Sequence, residues 1–122
     1  EGLSKTGNGE EGPEGLRRRL DEAVVLLAVV SQLRKDLRDE TLALPAVGEG
    51  AFEELRTQVL NVIEDRESEG AHAFGLVVNR VDLTEGQLRT ALARGGMHGV
   101  AGAVVLRCLQ KVLSRMRFAG LG

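Results

Sequence analysis

Tryptophan and tyrosine are missing from this chain, and its aromatic content is limited to Phe52, Phe74 and Phe118. A sheet domain of this size fills its pleated faces with aromatic and β-branched residues. Here the core has to come from Leu, Val and Ala, set among Glu, Gln and Arg, which are good helix formers. Cysteine is nearly absent too. The single Cys108 excludes an internal disulfide and any cysteine-based zinc cluster, and it argues for a reducing, intracellular setting. No run approaches the roughly 18 apolar residues expected of a membrane-spanning helix. The longest apolar run, residues 23–30, follows Glu22 and is closed by Ser31 and Gln32, and it is not placed as a signal peptide would be. The chain opens on Glu1 rather than Met, which reads as a fragment of a larger protein.

What is present is a helical pattern. The 122 residues suit one domain. Residues 1–12 are rich in Gly with one large apolar residue, Leu3, and are expected to be a flexible arm that cannot repay the entropy of ordering. Residues 13–122 are expected to form one all-α bundle of four or five helices. The first should run over residues 13–37, with Leu16, Leu20, Ala23, Val24, Leu27, Val30 and Leu37 as its apolar stripe and Leu27 at the centre of the core. A connection with Pro45, Gly48 and Gly50 follows, pinned by Leu42, Leu44 and Val47. A second helix is expected over residues 51–66 and a short one over 71–81, where a strand would have no partner. Thr84 and Gln87 have the spacing of a capping box, predicting a helix from residue 85 that Gly95 and Gly96 stop. The last helix should cover residues 97–117.

Charge is unevenly spread. Residues 39–69 carry a net −7 and residues 70–122 a net +5, within a total of −2. Such asymmetry marks either an interaction face or two parts that attract each other inside one fold. The clearest functional feature is the stripe Arg107, Lys111 and Arg115, at four-residue steps and followed by Arg117. Three cations on one helical face repel modestly and offer themselves to an acidic partner.

Catalytic chemistry finds no support. Cys108 lies among Val104, Val105, Leu109 and Val112, as a buried inert thiol does. His72 and His98 have no partners at metal-ligand spacing. The carboxylate pairs Asp39-Glu40, Glu53-Glu54 and Glu64-Asp65 fall on expected exposed faces and ends. Gly95, Gly96, Gly99 and Gly102 lack the preceding strand and the Lys-Ser/Thr ending of a phosphate loop. Gly99-Val100-Ala101-Gly102 has the bare form of a backbone-clamping loop, without a basic residue inside it. Gly95, Gly99 and Ala103 are better read as a small-residue face that admits a neighbouring helix.

The expectation is a non-enzymatic protein-interaction module with no cofactor and no metal. It would bind another protein or peptide, an acidic one included, through a helix groove or through Arg107, Lys111, Arg115 and Arg117. Nucleic-acid binding through the same stripe and self-association into a homo-oligomer are the alternatives.

Overall fold

The computed structural model describes residues 13–118, and the expected arm at 1–12 lies outside them. The described residues fold as five α-helices without a strand: α1 (Pro13–Arg18), α2 (Ala23–Leu37), α3 (Ala51–Ser68), α4 (Ala71–Val81) and α5 (Glu85–Phe118), with one 3-10 turn at Arg19–Asp21 between α1 and α2. The all-α expectation holds. Among the described residues no helix is long and apolar enough to cross a membrane.

The core sits where α2, α3 and the second part of α5 meet. Leu26, Leu33, Leu37, Leu55, Ile63 and Leu109 are fully buried, with Val25, Val29, Val30, Val59 and Val77 between them. Cores of this kind are stabilised by roughly 1.5–3 kcal/mol for each large aliphatic side chain removed from water.

The first helix differs from its sequence pattern. An unbroken helix would put Leu16, Leu20, Val24 and Leu27 on one face. Instead, Glu22 adopts an extended conformation (φ −95°, ψ 119°) after the 3-10 turn. The interruption shifts the phase, so that the inward sequence becomes Leu16, Leu20, Val25, Leu26, Val29, Val30 and Leu33. Leu27 is therefore 57% exposed and Val24 66% exposed. The expectation of a central Leu27 is overturned. Periodicity counted across the break puts Val24 and Leu27 on the wrong face, while Val30 and Leu37 remain buried as expected.

The connection before α3 is likewise held differently. Leu42 and Pro45 are buried, whereas Leu44 and Val47 are exposed. Polar groups do much of the anchoring. Arg34 Nε and Nη2 donate to the Leu42 carbonyl at 3.0 and 2.7 Å. Gln58 accepts from Ala43 N (2.7 Å) and donates to Ala43 O (3.0 Å), mimicking a strand partner for an otherwise unpaired backbone.

The helix over residues 71–81 is present as expected. So is the capping box. Thr84 Oγ1 accepts from Gln87 N (3.0 Å), and Gln87 Oε1 accepts from Thr84 N (2.9 Å). Gly95 and Gly96 interrupt α5 with non-helical dihedrals, Gly96 at φ 61° and ψ −145°, a combination that needs glycine. Two arms result, residues 85–94 and residues 97–118.

Candidate functional site

The break at Gly95–Gly96 folds the first arm of α5 back beside the second, and the angle between them opens a cleft of about 810 Å³ against α1 and α3. Thr84, Gly86, Gln87, Thr90, Ala91 and Arg94 form one wall. Gly99, Gly102, Ala103 and Leu106 form a floor of small or apolar groups, with Arg107 and Gln110 at its end. Arg17 and Arg56 close the opposite side around Phe52. Four arginines thus line the cleft, and no carboxylate among the described residues does.

The two glycines of the floor do different work. A Cβ on Gly99 would press into the backbone carbonyl of Ala91, so glycine is what lets the two arms touch backbone to backbone. A Cβ on Gly102 would meet Arg56 Cδ at 3.3 Å and Phe52 Cζ at 3.8 Å, neighbours that can give. The expected small-residue face is therefore correct at Gly99. Gly95 has open space around it and belongs to the break itself.

Phe52 organises the far wall. Its ring is buried, and the Arg17 and Arg56 guanidinium carbons lie 4.3 and 5.5 Å from its centroid. A cation over an aromatic face is stabilised by about 0.5–1 kcal/mol at a partly exposed site. Glu14 and Glu53 pair with these arginines from outside the cleft, Arg17 Nη1 to Glu14 Oε2 at 3.8 Å and Arg56 Nη2 to Glu53 Oε1. Each arginine nevertheless keeps a buried Nε–H without an acceptor among the described residues. A desolvated donor on a cation left unmatched favours an added anionic acceptor.

The basic stripe of the last helix is largely spoken for within the fold. Arg107 Nη2 pairs with Asp82 Oδ2 (3.1 Å), and its Nε donates to the Asp82 carbonyl (3.3 Å). Lys111 Nζ donates to Asp36 Oδ2 (2.8 Å) and to the Arg80 carbonyl (3.0 Å). Arg115 Nη1 donates to Gln32 Oε1 (2.8 Å). Gln32 in turn donates to Asp36 Oδ1 (3.0 Å), so one polar network joins α2 to α5. Its members Asp36 and Gln32 are buried. The stripe is thus not the freely solvated face that spacing alone suggests. Its anionic partners are Asp36 and Asp82, not carboxylates of the acidic segment 39–69. Arg117 is exposed, and Arg107 alone of the four lines the cleft.

Cys108 is buried, and its thiol donates weakly to Asp36 Oδ2 (3.5 Å). Burial first, then the Asp36 carboxylate, push this thiol well above its ordinary pKa, the opposite of an activated nucleophile. His72 and His98 are exposed, and the described residues contain no group of three or more metal-type ligands. Sequence reasoning missed Arg17, Phe52, Arg56 and Arg94, which lie on three helices and become neighbours only through packing. The one visible signal was the glycine cluster at 95–102.

The chain matches no family model, no curated protein and no solved structure.

Proposed function

We propose that this domain is a protein-interaction module that docks an acidic, apolar-anchored segment of another protein in the cleft between the arms of α5 and α3. The single observation carrying the reading is the composition of that cleft: four arginines, a buried phenylalanine and a floor of small apolar residues, with no carboxylate among the described residues in its lining. Helix-in-groove recognition uses an apolar surface for anchoring and charges for register and encounter rate. A buried, unactivated Cys108 suits a non-enzymatic, intracellular role.

The test is a fluorescence-anisotropy titration with a labelled peptide of Leu and Glu at helical spacing, beside a counterpart with Gln for each Glu. The Glu peptide should bind, the Gln peptide should bind at least about tenfold more weakly, and Arg56→Gln with Arg94→Gln should remove most of the difference. Equal binding of both peptides, or of neither, would refute the reading. Preference for random-sequence nucleic acid, with a steep loss as salt rises, would favour the nucleic-acid alternative.

Self-association is a second reading with its own observation. Val24 and Leu27 leave an apolar strip uncovered on α2. Sedimentation of the wild-type chain should then show a concentration-dependent mass that Leu27→Glu abolishes; a monomer at all concentrations would remove this reading.

A further inference from the structure

The first arm of α5 is a cleft wall with little to hold it. Of residues 85–94 only Leu88 and Ala91 are even half-buried, and Leu92 is 41% exposed despite its size. The arm is bracketed by two residues of positive φ, Asp82 (φ 73°) before it and Gly96 (φ 61°) after it. The Ala91 backbone seats on Gly99 of the second arm, and Leu88 and Ala91 are the arm's side chains packed against the core. By contrast, the second arm buries Val100, Val104, Val105, Cys108, Leu109 and Val112. Segments with few buried apolar contacts open at lower free energy than the core they lie on.

Arg94 stands at the hinge end of this arm and lines the cleft. The other three arginines are each held by a carboxylate, Arg17 by Glu14, Arg56 by Glu53 and Arg107 by Asp82. Arg94 is exposed and has no ion-pair partner among the described residues. It is the one arginine of the cleft lining with no carboxylate beside it among the described residues, so its whole guanidinium is open to an incoming anion.

We propose that residues 85–94 form a hinged clamp that closes over the docked segment and brings Arg94 onto one of its carboxylate side chains. This rests on the docking reading above and adds the recognition residue and the moving part. Closing trades a solvated guanidinium for a charge-assisted, partly desolvated hydrogen bond. It also covers the floor of small and apolar groups, Gly102, Ala103 and Leu106.

The test combines hydrogen exchange with binding of the same Leu/Glu peptide. In the free protein, amides of residues 87–94 should exchange at least about tenfold faster than those of 100–112, and Gly99→Ala should speed them further while leaving 100–112 unchanged. Saturating peptide should slow the arm, and Arg94→Gln should weaken the peptide by about five- to tenfold and abolish the slowing. Gly75→Ala, which adds the same methyl in open space on α4, should not speed the arm. Equal exchange of the two arms in the free protein overturns the clamp whatever binds. A mobile arm with no peptide binding overturns the docking reading, and the clamp with it. Binding that leaves the arm's exchange unaltered, or that Arg94→Gln does not weaken, overturns the clamp alone and leaves docking standing.

Discussion

Replacing Lys111 by alanine is a demanding test of the polar network between α2 and α5. Lys111 Nζ makes two hydrogen bonds, to Asp36 Oδ2 and to the Arg80 carbonyl, and its side chain is 18% exposed. Asp36 is 8% exposed at the side chain, so losing the lysine strands a carboxylate out of reach of bulk water. Removing one member of a buried pair costs about 3–5 kcal/mol. Here Asp36 keeps Gln32 Nε2 at 3.0 Å and the Cys108 thiol at 3.5 Å, which argues for the lower end. We expect Lys111→Ala to lose about 3 kcal/mol in urea melts followed by circular dichroism, with a Tm fall of roughly 12 °C or more for a domain of this size. The double replacement Asp36→Leu with Lys111→Met removes both charges and keeps the volume. It should lie within about 1 kcal/mol of wild type, because a well-packed apolar pair matches a buried ion pair. Arg89→Ala is the control. Arg89 and Glu85 pair at 3.2 Å but are 72% and 86% exposed, so about 0.5 kcal/mol or less should be lost. A loss below about 0.5 kcal/mol for Lys111→Ala, or a double variant as unstable as the two singles added together, would refute the account of a buried, coupled network.

Three further outcomes follow from burial and hydrogen bonding. Leu33→Ala, at a fully buried position, should cost about 2–5 kcal/mol in denaturant melts, whereas Leu27→Ala should cost under about 1 kcal/mol; reversal of that order would show that the phase shift at Glu22 is wrong. Cys108 should resist iodoacetamide at neutral pH in the native state and react at the rate of a free thiol once unfolded, as mass spectrometry would show, since burial raises its pKa and blocks access. Asp39 accepts from the Thr41 hydroxyl and backbone N–H, and with Arg66 nearby these hold its carboxyl below the ordinary 3.8. A lowered folded pKa contributes stability that is complete above the unfolded value and lost as pH falls through the folded one. Thr41→Val should therefore destabilise by a constant amount from about pH 7 to 5, with the gap to wild type closing below about pH 4; a gap that widens toward acid would contradict the sign.

Helix content and several boundaries were legible in the linear sequence because they are set by neighbours a few residues apart. Thr84 and Gln87 cap the same turn, and the Gly95–Gly96 pair breaks α5 through its own dihedrals, whatever packs around it. The short helix over residues 71–81 and the burial of Cys108 likewise follow from local apolar spacing. Which face turns inward just after the first interruption was not legible, although Val30 and Leu37 further along α2 are buried as their spacing predicts. No capping residue or proline announces the extended Glu22, yet it moves Val24 and Leu27 out and Val25 and Leu26 in.

Charge spacing shows the same division. The sequence by itself determined that Arg107, Lys111 and Arg115 lie along one side of a helix, since a four-residue step is a property of the helix alone. Only the tertiary structure decided what that side meets. Asp36 and Lys111 are 75 residues apart, and Arg107 and Asp82 are 25 apart. The cleft is a tertiary product in full, because Arg17, Phe52, Arg56 and Arg94 become neighbours only when α1 and α3 pack against a broken α5. Local hydrogen bonding and backbone dihedrals act over three or four residues and leave a mark in the sequence. Long-range pairing depends on where whole helices come to rest, and a single chain's residue order carries no comparable mark of it.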